Sequence, residues 1–334
     1  MRLNSIDQYR GFAILVMVLA NYLAGIETIP GWLKHAPDIG LTVVDLIAPF
    51  FIFAVALNYS ISYERRREQQ SRKAAVRHFL TRYLALIGIG SILSCGELLV
   101  GFKTSGIPWG VLQAIGAAGL LTLPLIRTPP VVRLSCGALL LAIYQFLLDA
   151  FWLKTVFPSS HGGMLGSLSW AGMLIISTAL ADLFHTTTQQ ERDQKSTHIG
   201  SGRLRIGPWL YPVVSLCILI GGIIISIWIP VSKNRVSASY ILISTGGSAL
   251  LFFIFHMATD MLKFKLPFLT YWGRNPLMLY LAHQLLLALF VFPGGSRWYV
   301  NAAPGLIVLQ TLFLLSGLSL LAWFLQRKGR TFSL

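Results

Sequence analysis

Charge is what this chain has least of. Only 12% of its 334 residues are Asp, Glu, Lys or Arg, and just 12 are acidic. Water-soluble domains carry about twice that charged fraction, so a soluble globular protein is excluded. Cysteine is scarce as well. Cys95, Cys136 and Cys217 fall in separate apolar runs, and an odd number without metal-ligand spacing argues against a disulfide framework or a zinc site. They read as small packing residues. No HExxH, CxxC or GxSxG pattern occurs, and no glycine-rich phosphate loop follows a strand. No metal is therefore expected. No stretch alternates polar and apolar residues at period two, which disfavours a transmembrane barrel.

What is present is apolar and long. Hydrophobic residues make up 55% of the chain, and the mean hydropathy is +0.67. Runs near ~20 apolar residues suffice to cross a bilayer as helices. Ten are read: 8–26, 41–61, 79–98, 108–126, 131–151, 164–183, 208–229, 239–259, 275–292 and 305–325. The fold class is all-α, a polytopic membrane protein of about ten transmembrane helices. The first run is treated as a retained helix and not a signal peptide, because Arg10 borders it and no small-x-small cleavage site follows. Glycines such as Gly88, Gly90, Gly221, Gly222, Gly246 and Gly247 read as close helix contacts.

The basic excess, a formal net charge of +15, is explained by topology. Of the 27 Lys and Arg, 21 fall in loops on one side of the ten runs and six on the other. The positive-inside rule then places both termini in the cytoplasm. The Arg65–Arg82 cluster is a topology signal with anionic-lipid contact, and no nucleic-acid partner is expected. The most polar segment, 185–207, reads as a cytoplasmic linker. It divides a six-helix half, 1–184, from a four-helix half, 208–334, with no internal repeat between them. No soluble domain is expected at either end.

Against this apolar background, a few polar residues stand out. SIDQYRGFAILVMVLANYLAG leads through GWLKHAPDIG into LTVVDLIAPFFIF. Arg10, Asn21, His35 and Asp45 thus lie in or beside hydrocarbon, where polar groups are costly and usually functional. The charge split puts His35 in an outside loop, with Asn21 and Asp45 at the outer ends of the first two helices. Gln113 and Glu97 lie at similar depth. On the cytoplasmic side are Arg10, Arg274 and Asn275, with His283 deeper on the ninth run.

These residues resemble the heparan-α-glucosaminide N-acetyltransferase family, whose pattern runs approximately S-L-D-x-x-R-G, an asparagine, then H-A-x-W-N-G-L-T-x-x-D-L-x-x-P-x-F. The resemblance continues through VLQAIG at 111–116, MLGSLSWAGMLI at 164–175, IPVSKNRVSASYILISTG at 229–246 and GRNPLMLYLAH at 273–283. It implies a transmembrane acyltransferase, a bacterial-type homologue in the cytoplasmic (inner) membrane with its active loop outside. Such an enzyme moves an acetyl group from cytosolic acetyl-CoA to an outer amine or hydroxyl, a sugar by resemblance. A homodimer is implied by resemblance alone. Two departures concern the acceptor side: Asp38-Ile39 replaces the family's Trp-Asn, and the stretch from Asn21 to His35 is longer. The acyltransferase-3 proteins resemble the first helix only, with a histidine eleven positions after the arginine. Here Asn21 stands there, so His35 must supply the imidazole.

Imidazole can remove a proton from an acceptor or take the acyl group itself. Taken alone, a loop histidine is more often an incidental surface residue; the resemblance makes catalysis the expectation for His35. Asn21 can donate to a developing oxyanion or simply join two helices. Asp45 can orient His35, cap its helix or pair with Lys34. For acetyl-CoA the candidates are Arg10, Gln113, Arg274, Asn275 and His283, with Arg10 pairing with Asp7, Arg274 as an anchor and His283 as helix glue the alternatives. The runner-up function is a transporter or flippase for a small metabolite or glycolipid, though such folds commonly show inverted repeats.

Overall fold

The computed structural model describes residues 3–99, 109–196, 209–291 and 297–329. Among them the α-helices are α1 (Asn4–Leu23), α2 (Ile47–Gln69), α3 (Arg72–Leu99), α4 (Val111–Thr122), α5 (Pro130–Leu147), α6 (Leu153–Val156), α7 (Gly163–Ser196), α8 (Leu210–Ile225), α9 (Ala238–His256), α10 (Pro267–Arg274), α11 (Pro276–Val291) and α12 (Pro304–Arg327). No strand occurs among the described residues. The all-α membrane class follows from composition, since only helices satisfy every backbone group within the segment that crosses lipid.

Among the described residues, six segments are long and apolar enough to cross a membrane: Val43–Gln69, Arg72–Gly96, Pro130–Val156, Gly163–Thr188, Ala238–Met261 and Pro304–Arg327. Three shorter apolar helices, Val111–Leu125, Leu210–Ile225 and Pro276–Val291, fall on three other expected spans. The remaining expected span falls on α1. The polar stretch expected as a linker begins as helix, because α7 continues to Ser196; residues 197–207 of it lie outside the described residues.

The chain forms two compact units. The first comprises Met1–Pro37, Leu41–Ala54 and Leu251–Leu334, and the second Asp38–Gly40 and Val55–Leu250. In the first unit α1 and α10 touch backbone to backbone. A Cβ added to Gly11 would sit 1.9 Å from the Leu269 carbonyl oxygen, and one on Gly273 would sit 1.8 Å from that of Asp7. Small residues are what permit such an approach between membrane helices. Around the crossing, the Tyr9 ring meets Phe50, Phe53, Phe252 and Phe255 edge-on. At the other end of α1, Tyr22 donates to Gln310 on α12 at 2.6 Å, and Tyr299 donates to the Tyr22 carbonyl at 2.7 Å.

In the second unit α8 and α9 pack through Gly222 and Gly246, where an added Cβ would meet the backbone nitrogens of Ile243 and Leu219 at 2.6 Å each. Gly90 lies against the Gln113 side chain. The reading of all six glycines as contacts needs correction, however: Gly88, Gly221 and Gly247 face open space. The cysteines need a similar one. All three are free, but Cys95 and Cys217 are exposed; a thiol is apolar enough to face lipid as readily as to fill a core.

Arg133, counted above as a topology charge, has a second role. Its side chain is only 2% exposed and is paired with Asp182 on α7, with Ser60 on α2 accepting a weaker bond at 3.3 Å. Asp182 is 26% exposed, so the pair is only half-buried, but removing the acid strands the buried guanidinium without its partner. Asp182→Ala is therefore expected to lower the melting temperature of the detergent-purified protein clearly. An unchanged melting temperature would show that the Arg133 guanidinium finds water or another anion instead.

Candidate active site

The α1–α2 loop gathers its polar residues by local rules. Thr42 and Asp45 form a capping box at the 3-10 turn Val43–Leu46 that leads into α2. The backbone N–H and hydroxyl of Thr42 donate to Asp45 Oδ2 at 2.9 and 3.0 Å, and the Ala36 N–H donates to the same oxygen at 3.3 Å. Its other oxygen, Oδ1, lies 2.8 Å from Nδ1 of His35. The Asp45 side chain is completely buried, whereas His35 is 43% exposed. Asp45 thus acts both as a cap and as the partner of the imidazole.

That pairing fixes the histidine's chemistry. An ionised carboxylate can only accept, so beside it a neutral imidazole keeps its proton on Nδ1 and its lone pair on Nε2. A neutral imidazole oriented by a carboxylate is the arrangement a general base requires. Thr42 was missed in reading the sequence, although a Thr followed three residues later by Asp before an apolar run is a helix-start signature.

Asn21 lies near the C-terminal end of α1. Its amide Nδ2 is 3.0 Å from Nε2 of His283 on α11, and His283 is buried with the Tyr280 ring packed edge-on against it at 5.2 Å. The contact joins residues 262 positions apart. Because Nδ2 carries two hydrogens, engagement with His283 still leaves one to donate elsewhere.

Arg10 is placed one side of the helix lower. Eleven residues of α-helix separate it from Asn21, about 16 Å of rise. Its guanidinium donates to the Gly273 carbonyl at 3.3 Å and lies 3.7 Å from Asp7. Arg274 approaches the same carboxylate at 3.8 Å. Two guanidinium groups thus approach one acid at this end of α1. Asn275 is fully buried at the α10–α11 junction. The close crossing of Gly11 with α10 is what sets Arg274 beside Asp7.

Every predicted site residue except Gln113 therefore falls in the first unit. Gln113 belongs to the second, where its Oε1 accepts from the Gly110 N–H at 3.0 Å and its Nε2 donates to Ser94 at 3.2 Å. This amide organises the start of α4. The side chain of Glu97 lies outside the described residues.

Comparison with known proteins bears on what such a site does. A family model described as "Heparan-alpha-glucosaminide N-acetyltransferase, catalytic" matches residues 2–258. Two curated relatives carry the name heparan-alpha-glucosaminide N-acetyltransferase. The one from Homo sapiens is 33% identical over 121 residues, covering 34% of this chain and 17% of the relative. The one from Mus musculus is 32% identical over 119 residues, covering 34% and 18%. The chain thus aligns with less than a fifth of the length of either. With the family model spanning most of its residues, the chain belongs to the heparan-alpha-glucosaminide N-acetyltransferase family.

Proposed function

We propose that this family member is a transmembrane acetyltransferase that moves an acetyl group from cytosolic acetyl-CoA to an amine or hydroxyl, a sugar by family, on the opposite face. The observation that carries the reading is the His35–Asp45 pair, an exposed imidazole held by a buried carboxylate. The relatives' name supplies the reaction class and the acetyl group. The charge split supplies the sidedness: ten spans, both termini cytoplasmic and the His35 loop outside. A transporter or flippase gains no support from these relatives.

In this reading Nε2 of His35 takes the proton of the acceptor as its nitrogen or oxygen attacks the thioester carbonyl. The charge that develops on the carbonyl oxygen is met by the free N–H of the Asn21 amide, whose orientation is held by His283. The C–S bond then breaks, and the CoA thiolate recovers the proton from the His35 imidazolium. Asp45 stabilises that imidazolium while it exists. Arg10 and Arg274 hold the CoA phosphates at the other end of α1, where charge-assisted bonds are strongest.

Two variants separate donor binding from chemistry. Arg10→Ala removes a charge-assisted contact of ~1.5–3 kcal/mol, so acetyl-CoA affinity measured by calorimetry is expected to fall about 10- to 150-fold. Unchanged affinity in a folded variant would assign Arg10 to its Asp7 and Gly273 contacts alone. Asn21→Ala is expected to leave affinity nearly unchanged and to lower kcat by about 10²–10³, as the loss of one oxyanion donor does. A normal kcat would reduce the Asn21–His283 bond to helix packing.

A further inference from the structure

We propose that Asp38 and Arg235 form a clasp that positions the His35 loop for catalysis. The inference rests on the acyltransferase reading above. Asp38 is one of the two residues standing where the family pattern has Trp-Asn, and it lies three positions after His35. Both halves of the clasp belong to the same compact unit. Asp38 Oδ1 accepts from Nε of Arg235 at 3.0 Å and from the Ser232 hydroxyl at 2.9 Å, while Oδ2 accepts from Nη2 of the same arginine. Two residues on, the Gly40 N–H donates to the Val231 carbonyl at 2.8 Å. Gly40 has φ 128°, a conformation open in practice only to glycine. The tripeptide 38–40 is thereby fixed by side-chain and backbone bonds together.

Arg235 is itself held firmly. Its carbonyl accepts from the Tyr144 hydroxyl at 2.8 Å, and its N–H donates to Ser232 Oγ at 3.2 Å. Its guanidinium lies over the Phe157 ring at 5.8 Å. The next residue, Val236, is kept at φ 51°, rare for a β-branched side chain, with the Ser169 hydroxyl donating to its carbonyl at 2.7 Å. The guanidinium holds the Asp38 carboxyl below its usual range, and the carboxylate raises Arg235 in turn. Both groups stay charged at working pH, so the clasp is a fixed device and not a pH switch.

The spacing makes the clasp felt at the imidazole. Only Ala36 and Pro37 separate His35 from Asp38. Proline fixes its own φ and restricts the residue before it, so this spacer is stiff. Ala36 is also bonded through its N–H to Asp45. Pinning position 38 therefore narrows the freedom of a long loop in which His35 and Asp45 must stay paired. The Arg235–Asp38 pair is partly exposed, at 24% and 20%, and such pairs contribute little to global stability. Its effect is expected in turnover and not in melting temperature.

The test compares Asp38→Asn, Arg235→Gln, Arg235→Lys and the charge-swapped double variant D38R/R235D with the native protein. Three quantities are read: acetyl-CoA affinity, kcat for hydrolysis of labelled acetyl-CoA and for transfer to glucosamine, and hydrogen exchange of the peptide spanning 31–46. Cutting the clasp should lower kcat on the order of 10²-fold, the scale set by small misplacements of reacting groups. Affinity should hold, and the peptide should exchange faster. The swap should recover most of both, and Arg235→Lys should fall between. Unchanged exchange in the cut variants would overturn the clasp, and faster exchange with unchanged kcat would overturn its positioning role. A native protein that neither binds nor turns over acetyl-CoA would instead sink the acyltransferase reading, and the positioning role with it.

Discussion

His35→Ala is expected to abolish acetyl transfer while acetyl-CoA still binds. The imidazole makes one side-chain bond, to Asp45, and it is 43% exposed, so its removal leaves the helices and the Arg10–Asp7–Arg274 group in place. General-base catalysis contributes about 10²–10⁴ in rate, and the base carries the proton out and back in each cycle. Calorimetry with acetyl-CoA and a labelled transfer assay on one preparation would separate the effects. Wild-type transfer by His35→Ala would remove the residue from the mechanism and make His283 the next to test.

Asp45→Asn should be nearly as damaging, for a reason that geometry supplies. Three donors converge on Oδ2, from Thr42 twice and Ala36 once, while Oδ1 faces Nδ1 of His35. An asparagine will turn its carbonyl oxygen to the three, which preserves the helix cap. Its NH₂ then faces His35 and donates to Nδ1, driving the imidazole proton to Nε2. The base is lost to the wrong tautomer, a change that lowers kcat about 10⁴-fold in the Ser-His-Asp template. A loss on the order of 10³–10⁴ is expected with the melting temperature little altered. Asp45→Ala, in contrast, should lose both activity and stability, since three half-buried donors would lose their acceptor. Equal activity of native protein and Asp45→Asn would show that the carboxylate serves only the cap.

Much of this was legible because it is local. The apolar runs mark the helices, and His35 and Asp45 stand only ten positions apart, so their meeting is constrained by chain length. The capping box at Thr42 and Asp45 was equally open to reading. Contacts across the chain were not. Nothing in the sequence joins Asn21 to His283 or Asp38 to Arg235, because helix packing decides which faces meet. The sharing of Asp7 between Arg10 and Arg274 was hidden in the same way, since it follows from the backbone contact of Gly11 with α10. Arg133 shows the opposite limit. A charge at the start of a helix reads as a topology signal, and only the packed structure shows Asp182 beside it. For the exposed cysteines and the unpacked glycines, residue type alone could not separate a lipid-facing position from a helix contact.

In the proposed reaction acetyl crosses from CoA on the face bearing Arg10 and Arg274 to an acceptor on the face bearing His35. Inside-out membrane vesicles loaded with glucosamine, given labelled acetyl-CoA externally, test it directly. The expected result is labelled N-acetylglucosamine inside the vesicles containing native protein and none in those containing His35→Ala. Labelled product formed only when acetyl-CoA and glucosamine share one face would contradict the account.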